Sequence, residues 1–134
     1  MQNLFDFFTD NDHFARKCGI VLVEMEAGRA KAEMKIQPFH LNGAKVVHGG
    51  AIFTLADFVF AVAVNTRGKL ALAITASVSF INPATEGTLI AEAREISVNR
   101  KLANYEVTVT DETGRLISRF QGTAYRKNGP VLEE

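Results

Sequence analysis

Between residues 29 and 36 apolar and charged side chains alternate strictly, with Ala30, Ala32, Met34 and Ile36 on one side and Arg29, Lys31, Glu33 and Lys35 on the other. A period of two marks a strand with one buried face. Residues 20–25 also favour a strand, and Ala27-Gly28 supplies the turn between the two, so the pattern predicts a hairpin. Four more strands are expected later, at 70–81, 88–98, 102–110 and 115–126, separated by NPATEG, NRK and DETG. The third of them sets Tyr105, Val107 and Val109 against Glu106, Thr108 and Thr110.

Between the hairpin and these strands neither period holds. The loop QPFHLNGAKVVHGG opens an apolar stretch, residues 51–64, that is longer than an ordinary strand and is closed by Asn65 and Gly68, both helix stop signals. The pattern predicts one helix, apolar nearly all round and therefore buried on nearly every side. At this length, and interrupted by Asp57, it is too short to read as a membrane span. Upstream, Leu4, Phe5, Phe7, Phe8 and Phe14 among Asp and Asn suit one or two short helical turns over residues 3–17, ended by Cys18-Gly19. The order favours an α+β fold, an antiparallel sheet wrapped around a long central helix.

Composition narrows the classes of function. The 134 residues have the size of a single domain, 1–134. Fifteen basic and fifteen acidic side chains cancel, so no overall field draws the chain to nucleic acid or to an anionic membrane, and neither is expected as a partner. Cys18 is the only cysteine, which excludes an intrachain disulfide, a cysteine zinc cluster and a CxxC redox pair. The first residues, MQNLFDFFTDND, lack the basic region and apolar run of a secretory signal, and a reducing cytoplasm fits best.

One acid stands inside the apolar stretch. An ionised carboxylate is costly to bury, so a buried aspartate is normally paired, hydrogen-bonded or raised in pKa. Asp57 is either a structural acid that caps a loop or meets an Arg or Lys of the sheet, or a reactive one. Eight residues upstream, Gly49 begins the same helix. The unpaired N–H groups and partial positive charge of a helix N-terminus, with no side chain in the way, suit the developing oxyanion of an ester or thioester. The plainer reading of Gly49-Gly50 is a tight turn into a crowded helix. At about 1.5 Å rise per residue the two groups lie about 12 Å apart, so one helix does not bring both to one carbonyl. Two such helices packed antiparallel about a two-fold axis do, with Gly49 of one chain facing Asp57 of the other. That geometry predicts a homodimer with two equal sites at the subunit interface.

The segments LNGAKVVHGGAIFTLADFVFAVAVNTRG and ASVSFINPATEG carry a recognisable set of motifs: HGG, an aspartate seven residues after its last glycine, then N-x-x-G and F-x-N-P-A. In these motifs, and in element order over residues 38–127, the chain resembles the hotdog-fold acyl-CoA thioesterases of the phenylacetate-degradation type. The resemblance implies hydrolysis of a small-molecule acyl-CoA thioester without a cofactor or metal, by dimers that commonly pair into tetramers. It makes Asp57 the carboxylate that attacks the carbonyl or activates water, and Gly49, with Gly50 beside it, the backbone donor. Asn42 matches a polar position that holds the carbonyl or the water, and His48 matches the HGG histidine, in a positioning role. It places coenzyme A near Asn99, Arg100, Lys101 and Leu102 and near Arg126, where basic side chains suit phosphates. Asn82 stands where relatives often carry arginine, and Thr75 is a candidate lining residue.

Phe80, with Phe53, Phe58 and Phe60, either shapes an aromatic or medium-chain acyl pocket or belongs to the core. Two other activities fit parts of the pattern. An acyl-thioester dehydratase or hydratase would use His48 or His40 with an acid, and a non-catalytic acyl-CoA sensor would use Asp57 only to orient its ligand. A DNA-binding segment, which a ligand-responsive repressor needs, is not evident in the 134 residues.

Overall fold

The structure is a computed structural model that describes residues 2–132. The six strands are β1 (Ile20–Glu26), β2 (Arg29–Lys35), β3 (Ala71–Phe80), β4 (Thr88–Val98), β5 (Leu102–Thr110) and β6 (Leu116–Arg126). They form one antiparallel sheet in the order β1-β2-β4-β5-β6-β3. Helices α1 (Gln2–Asn11) and α2 (His13–Lys17) precede the sheet, and α3 (Gly49–Val64) lies across its inner face. The predicted alternation is realised: Ala30, Ala32 and Met34 on β2, and Tyr105, Val107 and Val109 on β5, all point into the core. Gly28 closes the first hairpin with φ +77, a conformation that costs an L side chain.

Small residues let the helix lie close to the sheet. Ala30, Ala32, Ala91, Ala93, Ala103 and Ala124 line the bed, and a Cβ on Gly122 would stand 2.7 Å from the tip of the Phe60 ring. Phe60 and Phe53 of α3 meet Phe120 of β6. At the far end the stop residue does more than stop. The Asn65 side-chain N–H donates to the Ala61 carbonyl at 2.7 Å, and its Oδ1 accepts from Ala71 N–H at 2.8 Å. The helix end is thereby tied to the first residue of β3. Thr66 Oγ1 donates to Ala63 O and accepts from Gly28 N–H, and Arg67 pairs with Glu95.

Two expectations need correction. The helix is not covered all round: Gly50 is exposed, and Thr54, Asp57 and Ala61, spaced at helical intervals along the same side, are only half-buried. Beside that stripe β3 forms the edge of the sheet, exposed from Leu72 to Ser77, with Leu72 49%, Ile74 57% and Phe80 56% exposed. The small side chains of Ala73 and Ala76 leave the helix face open there. Apolar composition signals burial but does not say which chain supplies the cover. The second correction concerns length. A 3₁₀ turn, Asn65–Arg67, extends the helical segment to 19 residues of mean hydropathy 1.5, which by length and composition alone is enough to cross a bilayer. In this fold the segment is the core helix, with Leu55, Ala56, Val59, Phe60, Val62 and Ala63 at 0% exposure.

Candidate functional site

The chain reaches α3 through a folded loop. Leu41 and Val47 bridge, His48 N–H donates to His40 O at 2.7 Å, and Lys45 takes a left-handed φ of 64. Asn42 holds this loop: its Oδ1 accepts from Ala44 N–H at 2.9 Å and from Val46 N–H at 3.3 Å. The Asn42 amide N–H groups keep no hydrogen-bond partner among the described residues, so they are the part of the side chain able to meet a ligand.

His48 caps the helix. Its Nδ1 accepts from Gly50 N–H at 2.8 Å, which puts the proton of the neutral ring on Nε2. The Gly50 amide is thereby engaged. Gly49 N–H, in contrast, meets no acceptor among the described residues. The two glycines are not equivalent: only Gly49 offers a free donor at the positive end of the helix. His40 is buried with both ring nitrogens occupied, Nδ1 by Gln37 N–H at 2.8 Å and Nε2 by Cys18 O at 2.7 Å, which leaves it no nitrogen for acid–base work.

Phe80 comes to the same corner. A Cβ on Gly49 would lie 3.0 Å from Phe80 Cζ, so the ring tip rests on the glycine. Glycine at 49 therefore serves packing as well as access. Of the other phenylalanines, Phe58 and Phe60 are core and Phe53 is half-buried against Phe120. Thr75 stands opposite Thr123, whose hydroxyl bonds Asn104, on the sheet face turned away from α3. Within one chain it does not join the Gly49–Phe80 corner.

Asp57 sits half-buried on the uncovered stripe of α3, and no hydrogen bond or ion pair reaches it among the described residues. The structural roles open to it, a loop cap or a partner for a sheet cation, are both unfilled. Burial pushes its pKa above the ordinary carboxylate value, and the negative charge of Asp12 adds to the effect. Asp12 is a neighbour that sequence reasoning missed. It caps the start of α2, accepting from Ala15 N–H at 3.1 Å, and in the sequence it signals only a helix cap.

A second cluster forms at the β4–β5 turn. Asn99 Oδ1 accepts from Lys101 N–H at 3.0 Å and Leu102 N–H at 2.9 Å. Arg126, at the end of β6, donates from Nη1 to Asn99 O at 2.6 Å, while its own N–H bonds Lys101 O at 2.7 Å. Asn99, Lys101, Leu102 and Arg126 are thus brought together, with Arg100 exposed at the tip of the turn. Asn82 is held in another turn, donating to Leu116 O and accepting from Arg115. Among the described residues no group of three or more His, Cys, Asp or Glu side chains is arranged to hold a metal.

Comparison with known proteins identifies the architecture. Residues 44–118 match the model of the thioesterase superfamily. The chain belongs to the thioesterase superfamily. This thioesterase is 31% identical to the acyl-coenzyme A thioesterase PaaI of Escherichia coli, over 93% of its own length and 90% of the relative's. A protein of Archaeoglobus fulgidus is 44% identical over 92% of this chain and 80% of its own. The solved structure of E. coli PaaI, from the phenylacetic acid degradation operon, superposes with a TM-score of 0.92 at 30% identity, covering 98% of this chain and 95% of that one. The helix wrapped by a six-stranded antiparallel sheet is the hotdog fold, and the protein is a thioester hydrolase.

Proposed function

We propose that this thioesterase hydrolyses acyl-coenzyme A at two equal sites of a homodimer, each built from Gly49 of one protomer and Asp57 of the other. The observation that carries the reading is a free donor and a free base on one helix: among the described residues Gly49 N–H has no acceptor, and Asp57 is half-buried without a partner. They lie about 12 Å apart along α3, so a second copy completes each site. The uncovered stripe of α3 and the exposed edge of β3 are where that copy would pack, pairing unsatisfied backbone groups and covering Leu72 and Ile74 while leaving Phe80 at the mouth of the site.

In the proposed reaction the thioester carbonyl accepts a hydrogen bond from Gly49 N–H, and Asn42 offers its amide N–H groups to the carbonyl or the water. Asp57 takes a proton from the water as it attacks the carbonyl carbon. The tetrahedral oxyanion collapses, the C–S bond breaks, and the proton passes to the departing thiolate to give free acid and coenzyme A. A carboxylate raised in pKa is the stronger base for this step. The exposed turn of Arg100 and Lys101, with Arg126 anchored beside it, supplies the phosphate contacts, and Asn99 and Leu102 shape that turn. The acyl group is taken to be arylacetyl or medium-chain, with Phe80 at its entrance.

A thiol-release assay with phenylacetyl-, benzoyl-, short- and medium-chain acyl-CoA tests the reading. Wild type should turn over at least one of these, and Asp57→Asn should lower kcat by about 10²-fold or more. Tight binding without release would favour a sensor, and full activity of Asp57→Asn would remove Asp57 from the chemistry. In single turnover in heavy-oxygen water the label should appear in the released acid. Label on Asp57 itself would mean that the carboxylate attacks directly.

A further inference from the structure

Besides the Asn42 amide, two polar groups at the level of the first turn of α3 lack partners among the described residues. One is Gly49 N–H. The other is the hydroxyl of Ser118, a residue at 0% exposure whose Oγ has no hydrogen-bond partner among the described residues. A buried hydroxyl normally finds one, because its water has been removed and nothing else repays the loss.

The register of β6 shows where this hydroxyl lies. Alternate residues of the strand face α3: Gly122 abuts Phe60, and the Phe120 ring lies 5.5 Å from the rings of both Phe53 and Phe60. Each pair of strand residues advances about 6.6 Å, and the helix rises about 1.5 Å per residue. The next inward position, Ser118, therefore stands level with the first turn of α3. Its cross-strand neighbours are Val109 on β5 and Phe80 on β3, and the tip of that same Phe80 ring rests on Gly49.

We propose that the Ser118 hydroxyl is a second hydrogen-bond donor to the substrate's thioester carbonyl, beside Gly49 N–H, and that Phe80 is the cover that turns aside to admit it. The inference rests on hydrolysis at Gly49 as proposed above. A carbonyl oxygen has two lone pairs and accepts two donors, and a hydroxyl rotates to suit the oxygen it meets. Phe80 is 56% exposed, so its ring swings outward without disturbing the core. In the free chain the ring tip rests on Gly49 from a strand position opposite Ser118, and the bound substrate replaces it.

The test compares wild type, Ser118→Ala, Ser118→Cys and Asp57→Asn by thiol release and by thermal melting. Ser118→Ala removes an unpaired buried hydroxyl, so its Tm should be equal to or above that of wild type, while kcat/KM falls about tenfold or more. Ser118→Cys, close in shape and a weaker donor, should fall between the two. Activity of Ser118→Ala within twofold of wild type overturns the proposal. So does a Ser118→Ala that loses both fold and activity while Ser118→Cys keeps full activity, since shape alone would then be at stake. If instead wild type releases no thiol, the underlying acyl-CoA hydrolysis reading fails, and if Asp57→Asn matches an active wild type the role of Asp57 fails, each on grounds separate from Ser118.

Discussion

Replacing Gly49 by alanine sets packing and chemistry against each other. The new Cβ would lie 3.0, 3.3 and 3.5 Å from Cζ, Cε1 and Cε2 of Phe80, close enough that the ring must give by a few tenths of an ångström. The ring is more than half exposed and has room to yield. Against that small strain, alanine in place of glycine in a helix gains about 0.5–1 kcal/mol through lower unfolded-state entropy. The net change in stability should lie between zero and about 1 kcal/mol in favour of the variant, a rise in Tm of no more than about 6 °C. Chemistry goes the other way. The methyl group occupies the approach to the Gly49 N–H, and loss of one oxyanion donor costs about 10²–10³ in kcat. Thermal melting and thiol release on one preparation should therefore show an unchanged or higher Tm with kcat/KM down about a hundredfold. Activity within threefold of wild type would mean that the glycine is there only for Phe80, and a clearly lower Tm would mean that the ring is held rigidly.

Asp57→Asn should change stability with a definite sign. Burial, then Asp12, raises this carboxyl in the folded state, so below the ordinary value of about 3.9 both folded and unfolded chains hold the proton and no penalty exists. The penalty grows as pH rises and is complete above the folded pKa, so the neutral variant should melt above wild type at pH 7 and level with it below that value; a lower Tm at pH 7 would contradict this. Gly122→Ala forces a Cβ to 2.7 and 2.8 Å from the Phe60 ring and 3.0 Å from Phe120, all in the core, and should destabilise by about 1–3 kcal/mol in denaturant titration. Phe60→Leu added to Gly122→Ala should restore part of that loss, and strict additivity would refute the clash. Arg126→Ala should raise the KM for acyl-CoA about tenfold, less so at high salt, with kcat nearly unchanged; an unmoved KM would take Arg126 out of phosphate binding.

The strands were legible because each carries its own period. Arg29 to Ile36 and Tyr105 to Thr110 reveal their faces residue by residue, and the stop at Asn65 is chemical rather than statistical. The uncovered stripe through Thr54 and Asp57 was not legible, because Ala61 looks the same whether its own sheet or another chain covers it. Asp57 stood out as the lone charge in an apolar run, and HGG marked the helix start, but the unequal fate of Gly49 and Gly50 depends on where one ring nitrogen of His48 points. Asp12 and Ser118 escaped notice for a common reason. Each is an ordinary residue in its own segment, a cap in α2 and a serine in β6, and only packing between distant segments gives it a neighbour that matters.

The Asn65 side chain joins the last turn of α3 to the first residue of β3, holding Ala61 with one end and Ala71 with the other. The helix that carries Asp57 and the edge strand β3, which β6 pairs on its other side, are therefore linked directly through this amide. A shift of the strand's first residue would be felt at the last turn of the same helix that carries Asp57. Changes to the outer edge of this protein, however far from Gly49 in the chain, have in Asn65 a direct route to the helix that carries its proposed base.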